Sequence, residues 1–310
     1  GLDPARRAAA DDIQAAYLAA DRLAMLNQTR SDWAFIGASL IAAGMGFAFL
    51  WFAKIDDNLI WLYAYLVLFA VGYALFRMAH SKRWLHNHLS FRVLAETLRV
   101  RYFMSLLGLD ERVDVRRVMA QTGVSSFPGF AWAREADRVG VPLAQGLPTS
   151  IGSRGELVNV HWVDDQAAYF GRKVEQLETR HERLELVQRV LYVLSFLAVL
   201  AIIAYGSDLK KVYLPGDVSM KTALIFLMGL LPLWLTLWEL HQGRMATREL
   251  LWQFRNQATI FSRASAELEV PGHDDAKAQI YVDLAERSLF ETYLWTIHRF
   301  HREFSPPSGG

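Results

Sequence analysis

The sequence predicts an all-α integral membrane protein: two repeated transmembrane helical hairpins, four spans in total, with long cytosolic helical extensions. Three observations predict it. Two nearly uncharged runs follow one another closely, WAFIGASLIAAGMGFAFLWFA at residues 33–53 and LIWLYAYLVLFAVGYALFRM at residues 59–78, the second charged only at Arg77. Two more apolar runs, residues 187–206 and 221–240, form a second such pair. All four lack the polar face that a soluble core helix of their length keeps. At about 1.5 Å rise per residue, roughly 20 such residues match the hydrocarbon thickness of a bilayer.

Composition agrees. The 310 residues are 53% hydrophobic and 21% charged, apolar for a soluble domain but ordinary for four spans with sizeable polar parts. Lys and Arg number 33 against 32 Asp and Glu, so the chain as a whole offers no case for nucleic-acid binding. Cysteine is absent, which excludes disulfides, thiolate metal sites and cysteine nucleophiles. Gly1-Leu2-Asp3-Pro4 does not read as a natural start, and no charged-then-apolar leader opens the chain. An upstream portion is therefore expected, and no signal peptide.

Residues 12–30 are rich in Ala, Leu and Gln, without Gly or Pro, and should form a helix that continues into the first span as one rod. After the second span comes a leg, residues 80–108, where Leu85, Leu89, Leu94, Leu98 and Met104 make a helical stripe and Gly108 a stop. Residues 11–109 thus form a first hairpin unit. Residues 110–163 are punctuated by Gly and Pro. They read as a cytosolic insert with a short helix near 113–122, a second near 132–139, and then irregular linker, pinned to the long helices by Trp132 and Trp162.

At residue 164 the opening theme returns. Asp11-Asp12-Ile13-Gln14-Ala15-Ala16-Tyr17 is echoed by Asp164-Asp165-Gln166-Ala167-Ala168-Tyr169, and Arg22-Leu23 by Arg183-Leu184. His80-Ser81-Lys82-Arg83 after the second span matches His241-Gln242-Gly243-Arg244 after the fourth, and Phe91-Arg92 matches Phe254-Arg255. Residues 164–270, with a leg at 241–268, therefore read as a second copy of the hairpin unit. Residues 273–304 follow as an amphipathic helix, then a frayed tail. Basic residues cluster beside the spans on one side, which places both termini and the middle segment in the cytosol by the positive-inside rule. Trp33, Trp51, Trp61, Tyr205 and Trp238 fit interfacial belts. Trp234 lies deeper than a belt residue should.

The charged helix WVDDQAAYFGRKVEQLETRHERLELVQRV entering a span, a short turn, a returning span and a helix with Arg and aromatics resembles the SLATT-type two-span membrane effectors of bacterial conflict systems. Two such units stand in tandem, about 11–109 and 164–268. The resemblance implies a pore-forming, ion-channel-like effector of a nucleotide-signalling or anti-phage defence system in the bacterial inner membrane. It implies an effector kept closed until an upstream or separate nucleotide-sensing domain detects its signal; a homo-oligomer is expected because a single four-helix set gives no aqueous path without polar lining, whereas several copies could surround one. No Gly-rich turn after a strand supplies that sensor in this chain.

Within the spans no ionisable residue lies near the midplane, which argues against an ion-coupled carrier. Ala38, Ala42 and Gly46 put small side chains on one face of the first span, for close helix packing or for lining a pore. Pro232 removes a backbone hydrogen bond in the fourth span and is either a gating hinge or an ordinary bend. Lys82, Arg83, Arg92, Arg244 and Arg248 could contact anionic lipid or a charged ligand, or be paired with the legs' carboxylates. Asp12 and Asp165 read as helix N-caps. His80, His86, His88, His298 and His301 lack the partners a metal site needs, and no catalytic motif or cofactor loop stands out. No enzyme and no cofactor are expected. The alternative to a channel is a non-conducting scaffold that recruits or oligomerises partners through its cytosolic helices.

Overall fold

A computed structural model describes residues 4–124, 127–144, 151–214, 218–245 and 247–301, with side chains described except at 4–6, 139–144, 152–153, 241–248 and 301. The architecture is all-α. In order it comprises α1 (Pro4–Lys54), α2 (Ile60–Lys82), α3 (Trp84–Leu107), a 3-10 turn (Asp110–Arg112), α4 (Val115–Gln121), α5 (Gly129–Ala144) and α6 (Gly152–Val158). A π-helical turn (Asn159–Asp164) then leads into α7 (Asp165–Tyr205), β1 (Tyr213–Leu214), β2 (Val218–Ser219), α8 (Met220–Met245), α9 (Thr247–Glu269) and α10 (Asp274–His301). The two strands form a minimal antiparallel pair, Tyr213 opposite Ser219 and Leu214 opposite Val218.

Four helical runs are long and apolar enough to cross a membrane: Arg7–Lys54, Ile60–Leu107, Arg154–Tyr205 and Met220–Leu240. The chain divides into two compact units. One comprises Gly1–Thr29, Trp84–Leu177 and Arg248–Gly310, the other Arg30–Arg83 and Glu178–Thr247.

The first unit holds the core. Leu89, Val93, Val100, Met104 and Leu107 of α3 pack with Phe130 of α5, Trp162 of the π turn, Phe261 of α9 and Tyr281, Leu289 and Tyr293 of α10. The α10 residues recur at helical spacing, as an amphipathic helix requires. The expected helix at 273–304 is thereby accounted for as far as His301, and the rest lies outside the described residues. The α3 stripe is real but incomplete: Leu98, with Leu94 beside it, packs on a second side against Ile13 and Ala20 of α1. Helix α3 is therefore enclosed from two directions, and its charged residues Glu96, Arg99 and Arg101 are buried with it. The helix stops where Gly108 suggests. Gly108 has φ +73°, its N–H reaches Ser105 O at 3.2 Å and the Leu109 N–H reaches Met104 O at 2.9 Å, a Schellman cap.

Four expectations need correction. Residues 152–164 are helical and run directly into α7, so the expected irregular linker ends at 151 and no loop precedes residue 164. Gly155 permits this course, because an added Cβ there would collide with Ile151, and its carbonyl accepts the Tyr281 hydroxyl at 2.9 Å. Asp12 lies inside α1, and Asp165 continues the turn before it, so neither caps a free helix end. Asp114 does, accepting the Arg117 N–H at 2.9 Å. The leg expected at 80–108 is broken at Arg83, whose φ of +49° lies in the left-handed region. Trp162 pins as expected, fully buried, but Trp132 is 42% exposed and meets only the edge of the core at Phe91, centroids 5.0 Å apart.

In the second unit, the turn between α1 and α2 is closed by its own polar residues. Asp56 Oδ1 accepts the Asn58 N–H at 3.1 Å, and Asn58 Oδ1 accepts the Ile60 N–H at 3.0 Å, capping α2. Phe47, Trp51, Trp61 and Phe226 cluster beside this turn with centroids 5.2–6.2 Å apart.

Candidate functional site

The small residues of the spans are where helices meet. A Cβ added at Gly37 would stand 3.1 Å from Leu75 of α2, one at Gly44 would stand 3.3 Å from Leu68, and one at Gly72 of α2 would stand 3.1 Å from Ile41 of α1. Between α1 and α8 the arrangement is reciprocal: Gly46 accommodates Leu233, which an added Cβ would strike, and Gly229 accommodates Leu50, which would lie 3.1 Å from an added Cβ. Small residues allow this approach because without a side chain in the way two helix backbones come close and dispersion contacts add up. Of the three small residues singled out on the first span, Gly46 therefore packs, Ala42 is half-buried, and Ala38 is exposed. Gly72 and Gly229 escaped the sequence reading, although Gly229 stands three residues before Pro232.

Pro232 sits within a continuous α8, exposed, and its carbonyl accepts the Thr236 hydroxyl at 2.9 Å. The depth of Trp234 has a structural reason. Its indole N–H donates to Ala43 O of α1 at 3.4 Å, so the polar edge is met by backbone. Near the far end of α8, Glu239 accepts from Gln188 at 2.8 Å and from the Tyr192 hydroxyl at 3.4 Å.

The basic residues assigned to lipid or ligand contact divide. Arg92 is a correction: it is half-buried and donates to Asp21 Oδ1 of α1 at 3.2 Å, with Glu96 at 4.0 Å, so it fastens α3 to α1. Lys82 and Arg83 are exposed, and Arg83 is the residue that breaks the helix. The backbones of Arg244 and Arg248 are helical, and their side chains lie outside those described.

Two neighbouring arginines do the same work deeper in. Arg99 donates to Gln166 Oε1 of α7 at 2.7 Å, lies 3.4 Å from Glu96, and covers the Tyr17 ring at 5.3 Å. Arg101 pairs with Asp137 of α5 and donates to Asp110 O at 2.6 Å. Burial depresses the Arg101 guanidinium, with Asp110 opposing, and burial raises the Asp110 carboxyl, with Arg101 opposing. These pins went unread because a charged residue on a helix is most often solvated.

His88 is buried on α3, its Nδ1 3.0 Å from Ala24 O. Burial, followed by the Arg299 charge, pushes the imidazole down to about 3 despite the Ala24 hydrogen bond, and Arg92 adds to the depression. It is a neutral structural histidine at ordinary pH. His86 stacks edge-on against Phe300 at 4.7 Å. Among the described residues, no group of three His, Asp or Glu is placed to hold a metal.

The geometry therefore defines a class: an all-α chain with four helices of membrane-spanning length and composition, and a polar helical unit fastened by buried ion pairs. Compared with family models, curated proteins and solved structures, the chain matches none.

Proposed function

We propose that the chain is an integral membrane protein with four spans in two repeated hairpins, in the bacterial inner membrane with both termini cytosolic. On this reading it acts as a cytosolically gated, pore-forming effector of the SLATT type. One observation carries the membrane part: the most apolar stretches of the four helical runs are only 0–17% buried. Leu40, Leu66, Phe69, Val193, Phe196 and Ile203 are all more than half exposed. A water-soluble surface does not carry apolar patches of that extent, whereas a surface in contact with acyl chains does. The cysteine-free chain permits a direct test. Single-cysteine variants D57C and S207C should react with a membrane-impermeant maleimide in intact spheroplasts, and R22C and E178C only after permeabilisation. Equal labelling of all four removes the topology.

The repeat is supported by matching element order: a long helix, a turn, a returning helix and a leg, in α1–α2–α3 and again in α7–α8–α9. Helices α1 and α7 each carry a polar and an apolar portion within one helix. Within one chain Gly37, Gly44, Gly46, Gly72 and Gly229 are taken up by leucine and isoleucine contacts. Several copies must surround a conducting one, with Ala38 available to line it and Pro232 as a bending point. A nucleotide-sensing domain, fused or separate, supplies the trigger. Conductance is tested by ion flux in reconstituted vesicles. No flux under any cytosolic ligand supports the second reading, a non-conducting scaffold, which those same close contacts at Gly46 and Gly229 also suit.

A further inference from the structure

The first unit holds a half-open cavity of about 760 Å³ between α4 and α5. Its floor is apolar, made by Met119, Ala120, Val124, Phe130 and Ala131, and its rim carries Arg116, Arg134, Arg138 and Glu135. The rim is strongly unbalanced: three guanidiniums face one carboxylate. That imbalance is local, because the whole chain sets 33 basic residues against 32 acidic ones. Elsewhere in this unit Arg92, Arg99 and Arg101 are each matched by a carboxylate or a carbonyl, and Arg117 lies 3.7 Å from Glu286. The lone acid of the rim, Glu135, is engaged by Arg138 at 3.1 Å. Arg116 and Arg134 have no ion-pair partner among the described residues. Arg134 and Arg138 stand one turn apart on α5, where two like charges repel unless something negative lies between them.

A glycine lines one edge of the cavity. α4 ends in a left-handed Gly123, φ +70°, and a Cβ placed there would meet nothing within 4 Å. The space falls in the size range of small-molecule sites and exceeds what a bare inorganic anion needs, so the apolar floor has room for the remainder of a larger ligand. Guanidinium forks suit phosphate oxygens, which accept paired N–H donors in the plane that arginine presents.

We infer that this cavity binds a phosphorylated small molecule, the phosphate held by Arg116 and Arg134 and the less polar remainder resting on Met119, Val124 and Ala131. The site adds a ligand to the function proposed above without resting on it, because binding is measured whether or not the chain conducts. Glu135 competes with the ligand for Arg138 and sets a ceiling on affinity. The phosphate could belong to a soluble metabolite or to a lipid headgroup, and the two sources share this chemistry.

The test is calorimetric titration of the full chain in nonionic detergent with AMP, inorganic pyrophosphate and adenosine, beside chain in nanodiscs with and without phosphatidylglycerol. AMP should bind and adenosine should not. R116A and R134A should each weaken AMP by about tenfold or more, as expected for a lost charged hydrogen bond. E135Q should tighten it by freeing Arg138, and R112A, outside the cavity, should leave it unchanged. All four positions are exposed, and circular dichroism verifies that the variants fold. If only phosphatidylglycerol nanodiscs show binding and R134A abolishes it, the occupant is a lipid phosphate. Absence of saturable binding in every arm, or binding indifferent to both R116A and R134A, overturns the assignment.

Discussion

Trp162 is the side chain on which the polar unit turns, and its replacement separates two contributions that usually travel together. It is completely buried, stacked on Phe103 of α3 with centroids 5.3 Å apart and planes 8° from parallel, and it meets Phe261 of α9 edge-on at 6.0 Å. Its indole N–H meets no acceptor among the described residues. Truncation to alanine removes the whole ring and leaves a void, which costs about 3–5 kcal/mol. Replacement by phenylalanine is different. It loses roughly 1 kcal/mol of burial and roughly 1 kcal/mol for the smaller void, but removes an unpaired buried donor that costs about 1–3 kcal/mol in the native state. W162F should therefore lie within about 1 kcal/mol of the parent, while W162A is severely destabilised. Because two units need not unfold together, a single melting point is the wrong readout. Native-state hydrogen exchange of α3 and α9 amides in the full, detergent-solubilised chain reports the local free energy. A W162F cost above about 3 kcal/mol, or equal costs for the two variants, would refute the account of the unpaired donor.

Three further outcomes are expected. R83G should stabilise the α2–α3 junction by about 1 kcal/mol, because a Cβ at φ +49° is strained and glycine is not, whereas R83V should destabilise it by more; exchange at residues 80–86 decides. The pH dependence of the polar unit should carry the mark of His88. Its pKa is near 3 in the native state and about 6.5 unfolded, so above pH 6.5 neither state is protonated. As pH falls below that value the unfolded state takes up a proton that the native state refuses, and stability declines by about 1.4 kcal/mol per pH unit toward pH 3. An H88Q variant should show a flatter decline between pH 6.5 and 4, and an identical slope would falsify the assignment. G46V should lower the thermal midpoint of the second unit through overpacking against Leu233, by an amount equivalent to about 1–3 kcal/mol, while A38V, at an exposed position, should leave it unchanged.

Much of the architecture was legible residue by residue. The four helices long and apolar enough to cross a membrane were visible as nearly uncharged runs of about 20 residues. Gly108 announced the end of α3, and the stripe in residues 273–301 announced an amphipathic helix. What misled was punctuation. Gly152 and Gly155 read as loop, yet both lie in a helix; at Gly155 the neighbouring Ile151 leaves no room for a Cβ and the Tyr281 hydroxyl bonds the carbonyl. Arg83 read as helix, yet it adopts the left-handed conformation that local propensity disfavours most. Paired aspartates read as caps, because the sequence does not show how far a helix extends upstream of them.

The candidate sites divide along the same line. Small residues on the first span could be marked from spacing, but which of them packs and which faces outward depended on leucines nearly 200 positions away, at Leu233 for Gly46. The arginines of α3 were legible as charges and not as pins, since Asp21, Asp137 and Gln166 come from three other helices. Arg116, Arg134 and Arg138 were equally visible as letters, but only the apposition of α4 and α5 makes them one rim.

By itself, then, the sequence determined what is local and periodic: helical content, the length and apolarity of four segments, and the place where α3 ends. These follow from backbone geometry and hydrophobic patterning, which act over a few residues. Tertiary structure alone decided which charges are buried and paired, where a glycine is a contact and where a break, and which surfaces enclose a cavity. Such properties belong to pairs of residues far apart in the chain, and the free energy that fixes them comes into being when the helices pack.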